Sequence, residues 1–191
     1  MKPARVLLWL VLAIPAALML RGLSSGETLA MDLLHPSGEM AVRLMVLALL
    51  PGPLAEVFGR SRFLCSWLAV RRNFGVAAFA YAALHLAFYA IDMRLFSAML
   101  EELALPAIWT GWLALALMIP PAAISFDAAM RRLRRRWQQV QYLVYAALAA
   151  ALVHWLLLDW EWRPALVHFL PLAIAWGLRA LHRRNRKGKA A

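Results

Sequence analysis

Cysteine is nearly missing from this sequence. Cys65 is the only one, which excludes an internal disulfide and any CxxC redox or metal cluster. It stands beside a basic stretch and reads as a packing residue. Acid is scarce as well, with 10 Asp and Glu against 21 Lys and Arg. There is no GxGxxG, so the dinucleotide fingerprint is absent. Residues 73–91, 103–126 and 137–158 carry no charge at all. With no Asp, Glu or Cys in those runs, a metal held by protein side chains alone lacks donors there.

What the chain does have is apolar surface. Of its 191 residues, 64% are hydrophobic, against about 45–50% in a soluble domain. The excess falls in runs, which marks a polytopic membrane protein. The expected spans are about 4–20, 40–58, 73–91, 103–126, 137–158 and 164–181, forming one transmembrane domain over residues 1–191. The first span, behind Lys2 and Arg5, has the look of a signal peptide, but no convincing small-x-small cleavage site follows. An uncleaved span is the expectation. The link from Arg21 to Glu39 is polar and holds the turn-like His35-Pro-Ser-Gly38.

Positive charge is clustered at Arg60, Arg62, Arg71 and Arg72, at Arg131–Arg136, and in the tail from Arg183. Each cluster abuts an apolar run, so the reading is membrane topology rather than nucleic acid. Arginine-rich links follow spans two and four, and acidic or neutral links follow spans one, three and five. The positive-inside rule then places both termini in the cytoplasm. Arg131–Arg136 would meet anionic lipid head groups or dock an acidic cytosolic reductase. Trp109, Trp155, Trp160 and Trp162 read as interface anchors.

Two histidines lie deep in uncharged runs, His85 in span three and His154 in span five. Both sit a few residues before an acidic link, about 8–11 Å inside the same boundary at ~1.5 Å per residue. The two spans run in the same direction, so the imidazoles share a level. Ala82, Tyr81, Ala78 and Gly75 flank His85, and Ala151, Ala150 and Ala147 flank His154. Such residues open a slot for a flat ring or, equally, let helices pack closely. An intramembrane ionisable residue marks a functional site by default. Bis-imidazole ligation of a haem, with no open iron position, favours electron transfer. The competing reading is two histidines hydrogen-bonded across the bundle. His168 in span six reads as a satisfied interfacial histidine, an alternative axial ligand or part of a quinone site. His35 lies in an outer link and His182 in the basic tail.

The stretch Arg71-Arg-x-Phe-Gly75-x-x-x-Phe79-x-Tyr-Ala-x-Leu-His85-Leu-x-x-Tyr89 resembles the third span of the MsrQ family, among the ferric-reductase-like transmembrane cytochromes. Arg136-Trp-Gln-Gln-Val-Gln-Tyr-Leu-Val-Tyr145 with His154-Trp155 resembles that family's fifth span. His35-Pro-Ser-Gly38 is similar to its His-x-Thr-Gly, and Pro53-Leu54 to its Thr-Pro-Leu. The likeness runs from about residue 22 to 181. It implies a six-helix haem b subunit of the bacterial inner membrane, with His85 and His154 as the axial ligands. It implies electrons drawn from the quinone pool, or from a cytosolic flavin reductase through FMN. Their destination would be a periplasmic molybdopterin subunit that reduces methionine sulfoxide, so this chain would not itself be the sulfoxide-reducing catalyst.

Where the family usually has an inner histidine, this chain has Gln141. An amide is a poor iron ligand, so one haem is expected. Arg71 matches the family and lies on the His85 face of its helix. It reads as an interfacial arginine or as a partner, with Gln141 nearby, for a haem propionate or flavin phosphate. The family's glycine in the loop before Arg136-Trp137 is replaced within the arginine run. Two other readings stay open. One is a stand-alone ferric-reductase-like cytochrome, which needs a nucleotide domain. The other is a haem-free scaffold or transporter, for which no paired broken helices appear.

Overall fold

The computed structural model describes residues 3–158 and 162–188. Asp159, Trp160 and Glu161, which belong to the expected link before span six, lie outside the described residues. The described chain is helical, with no strand. In order it forms α1 (Pro3–Ser25), a 3-10 turn (Met31–Leu33), α2 (Leu34–Leu49), α3 (Pro51–Phe58), α4 (Arg62–Met93) and α5 (Phe96–Glu102). Then follow α6 (Pro106–Ala123), α7 (Asp127–Leu133), α8 (Arg135–Gln141), α9 (Leu143–Leu158) and α10 (Trp162–Gly188). Six segments are long and apolar enough to cross a membrane, among them Met31–Phe58 (α2 with α3) and Arg135–Leu158 (α8 with α9). The chain is therefore an all-α, six-helix membrane protein.

Its polarity is turned inside out relative to a soluble bundle. Leu7, Leu10, Val11 and Ile14 of α1 and Val153, Leu156 and Leu157 of α9 are exposed. Lipid tails are as apolar as leucine, so nothing drives these side chains inward. Association rests on van der Waals packing, in which small residues let the helices approach closely beside large buried side chains such as Phe88 and Leu172. Ala78 and Ala147 are fully buried, and Gly75 faces Ala48. Of the small residues flanking the two histidines, these three join helix to helix. The most extensive contacts run between α2 and α4 and between α6 and α9. The core is thus two helix pairs set side by side.

Prolines interrupt several spans, and at Pro51 a side chain serves the carbonyl left free. Pro51 has no N–H to offer the Leu47 carbonyl four residues back. The indole Nε1–H of Trp67 on α4 donates to that carbonyl instead, at 2.9 Å. In α1, beside Pro15, the buried Tyr81 hydroxyl donates to the Leu12 carbonyl (2.8 Å) and accepts from the Ala16 N–H (3.0 Å). Tyr81 is thereby inserted into one rung of the α1 ladder. It is the main polar tie between α1 and the bundle.

Three expectations are corrected. His35-Pro-Ser-Gly38 is not a turn: it forms the first turn of α2. Proline is tolerated there because the first N–H groups of a helix have no intrahelical partner anyway. This moves His35 out of a link and onto the bundle. Cys65, in the first turn of α4, is exposed rather than packed. Trp155 is not an interface anchor but a buried residue, 8% exposed. Burying it lets the indole pack between the rings of His35 and His168.

Charge collects at the two ends of the bundle. At one end Glu56 of α3 binds Arg179 and Arg183 of α10, and Arg72 of α4 meets Asp127 of α7 at 2.6 Å. The Arg72 hydrogen bond holds the Asp127 carboxyl below its ordinary range. That tie therefore persists above the usual carboxylate titration and is lost as pH falls through the depressed value. At the other end Tyr89 donates to Glu102 at 2.6 Å. There too Glu39, Arg43 and His168 form one cluster.

Arg134, between α7 and α8, has φ +48°. That conformation suits glycine, which the family resemblance leads one to expect in this loop. Replacing Arg134 with Gly should raise thermal stability in detergent by about 1 kcal/mol or less, because a strained side-chain-bearing residue is relieved. Conversely, Tyr81→Phe should cost about 1 kcal/mol and speed amide exchange near Ala16. Unchanged exchange there would show that α1 is held by apolar contact alone.

Candidate functional site

His85 projects from α4 and His154 from α9 into the space between the two helix pairs. Their ring centroids are 6.2 Å apart and their planes 86° from parallel. The matched depth expected from the charge pattern thus becomes direct opposition across a gap. A metal–imidazole bond is about 2 Å and the ring nitrogen lies about 1 Å from its centroid, so two rings sharing one ion have centroids about 6 Å apart.

The outward-facing nitrogen of each ring is fixed. His85 Nδ1 faces the Leu34 carbonyl at 2.9 Å and the Ser37 hydroxyl at 3.3 Å. His154 Nδ1 faces the Ala107 carbonyl at 2.5 Å. A carbonyl oxygen only accepts, so Nδ1 carries the proton in both rings. Each Nε2 is left with its lone pair, which is the arrangement found in metal-ligating histidines. Each ring is thus hydrogen-bonded to a neighbouring helix through Nδ1, as the competing reading expects, while no bond joins the two rings among the described residues.

Backbone shape makes room for both imidazoles. A Cβ added at Gly38 would lie 3.2 Å from His85 Nδ1. One added at Gly111 would lie 2.6 Å from His154 Cε1, closer than atoms can pack. The His154 ring therefore rests in a notch that a Cβ would fill, and the His85 ring lies tightly against Gly38. Gly38 belongs to a stretch the sequence had singled out. Gly111 was missed, since one glycine in an apolar run has no distinguishing neighbour.

Between the rings lies a cavity of about 620 Å³, within the range that encloses an organic cofactor. Ala82 and Ala151 line it beside the histidines, as the slot reading required. Leu86, Trp112, Ala114, Met45 and Met118 supply apolar walls, while His35, Glu39, Tyr89, Asp92 and Glu102 bring the polar groups. Among the described residues no three His, Cys, Asp or Glu side chains gather to hold a metal. Two opposed imidazoles in an apolar slot suit a metal that arrives inside a flat macrocycle supplying its other ligands.

The remaining candidates fall elsewhere. His168 Nδ1–H donates to the Pro164 carbonyl at 2.6 Å, and its Nε2 accepts from Arg43 Nε at 2.9 Å. With both nitrogens engaged it is not an axial ligand in this structure. His35 stacks edge-on against Trp155, 5.7 Å between centroids, at the cavity edge. Neither Arg71 nor Gln141 lines the cavity. The Gln141 amide donates to the Pro121 carbonyl at 3.1 Å, closing the end of α6 with Ser125 and Trp137. Arg71 is exposed, and fourteen residues of helix put it about 21 Å along α4 from His85.

Comparison with known proteins gives a consistent answer. The family described as ferric reductase like transmembrane component matches residues 37–152, which takes in Ser37, Gly38, His85 and Gly111. The chain is 30% identical over 159 residues to the protein-methionine-sulfoxide reductase heme-binding subunit MsrQ of Brucella anthropi, covering 80% of this chain and 70% of that one. It is 31% identical over 159 residues to the proteins of that name from Brucella ovis and Brucella canis, with the same coverage. With its six spans and paired intramembrane histidines, the chain belongs to the ferric-reductase-like transmembrane family and, within it, to MsrQ.

Proposed function

We propose that this chain is the haem-binding membrane subunit of a bacterial methionine sulfoxide reductase system, holding one haem b between His85 and His154. The observation that carries the reading is the opposed pair itself. The rings stand 6.2 Å apart, and each turns an Nε2 lone pair away from its own carbonyl partner. His85 and His154 would hold the haem from its two faces, and the group would supply a one-electron carrier suited to relaying electrons rather than to binding oxygen or substrate.

The chain's own residues set the conditions for that relay. The backbone carbonyls fix the tautomer, and Leu86, Trp112, Met45 and Met118 supply apolar walls to the cavity. The arginine-rich end faces the cytoplasm and the His35, Tyr89 and Glu102 end faces the periplasm, following the charge asymmetry of the links. Electrons enter from quinol or from a cytosolic flavin reductase carrying FMN, and leave to a periplasmic molybdopterin-containing subunit. Arg71, exposed at the arginine-rich end, is placed to meet an anionic donor such as a flavin phosphate. Gln141, committed to the Pro121 carbonyl, gives no second axial ligand, which supports a single haem.

Purified protein should show a low-spin b-type reduced-minus-oxidised spectrum with one haem per chain. His85→Ala and His154→Ala should each abolish the low-spin signal. A haem-free wild type would sink the reading, and two haems per chain would refute the assignment of Gln141. Reduction of a co-purified molybdopterin subunit should depend on this chain and be lost in both histidine variants.

A further inference from the structure

The two histidine notches are built alike, although they share almost no sequence. In α2 the Leu34 carbonyl receives the His85 Nδ1–H. Three residues on, the Ser37 hydroxyl folds back onto the Leu33 and Leu34 carbonyls at 2.6 and 3.0 Å. One residue further, Gly38 opens space for the ring. In α6 the Ala107 carbonyl receives the His154 Nδ1–H. Three residues on, the Thr110 hydroxyl folds back onto the Pro106 and Ala107 carbonyls at 2.8 and 2.9 Å. One residue further, Gly111 opens space for the ring. The hydroxyl residues are both buried, Ser37 at 0% exposure and Thr110 at 5%. The carbonyls lie 51 and 47 residues ahead of their histidines. Each helix pair, α2 with α4 and α6 with α9, thus presents one imidazole by the same device.

We propose that Thr110 and Gly111 are the positioning residues for His154, as Ser37 and Gly38 are for His85, and that the shared carbonyl in each notch tunes the imidazole. This rests on the reading of the two histidines as haem ligands. A carbonyl oxygen has two lone pairs. In each notch it serves a hydroxyl as well as the ligand's N–H, which divides its accepting power. With the hydroxyl removed, the carbonyl takes more of the Nδ1–H bond. The imidazole then donates more strongly through Nε2, and the oxidised iron is favoured. Gly111 acts by space alone. Its added Cβ would collide with the His154 ring at 2.6 Å, whereas the one at Gly38 would press on His85 at 3.2 Å.

The test uses the full-length protein in detergent, read by haem-to-protein ratio, low-temperature electron paramagnetic resonance and potentiometric titration. Thr110→Val keeps shape and loses the hydroxyl. It should retain a low-spin haem whose midpoint potential falls. Thr110→Ser should restore the wild-type potential. Gly111→Ala should lose the low-spin signal, with Gly38→Ala less affected. A wild type without haem overturns the haem reading and this inference together. A wild-type low-spin haem whose potential is untouched by Thr110→Val, or a Gly111→Ala variant with a native signal, overturns this inference alone.

Discussion

A neutral imidazole carries one N–H and one lone pair, and inside a membrane neither finds water. The rest of this structure depends on how those two groups are answered. The N–H of each intramembrane histidine goes to a backbone carbonyl on a neighbouring helix, a bond worth about 1 kcal/mol net but costly to leave unmade. That choice orients the ring, fixes the tautomer and turns the lone pair toward the cavity. Depth in the membrane, glycine placement and helix pairing all serve this single orientation.

The same rule governs the parts of the fold away from the cavity. Proline frees carbonyls in several spans, and polar side chains on other helices find carbonyls nearby. Trp67 serves Leu47, Tyr81 enters the α1 ladder, and Gln141 serves Pro121. Where soluble bundles are glued by apolar burial, this one is registered by a few directed hydrogen bonds over a background of small-residue packing. Gln141 illustrates the economy. Its amide, on the segment that leads into α9, closes the end of α6.

Much of the architecture was legible before any coordinates. Uncharged runs located the spans, and arginine clusters set against acidic links ordered them. Counting residues from Asp92 and Asp159 brought His85 and His154 to one level. The signal failed where local chemistry is ambiguous. His35-Pro-Ser-Gly38 has turn composition yet starts a helix, because proline is at home where N–H groups are unpaired. Trp155 has the composition of an interface anchor yet is buried between two histidine rings.

The sequence by itself determined the solvent, the number of spans and the two intramembrane histidines, since hydropathy and charge act through residue type alone. Only the tertiary structure decided which carbonyl holds each imidazole, that Gly111 as well as Gly38 faces a histidine ring, and that His168 is spoken for. Those facts depend on which helices lie side by side. Contacts separated by 47 or 51 residues leave no periodic trace along the chain, because one glycine and one hydroxyl on a facing helix carry the whole interaction.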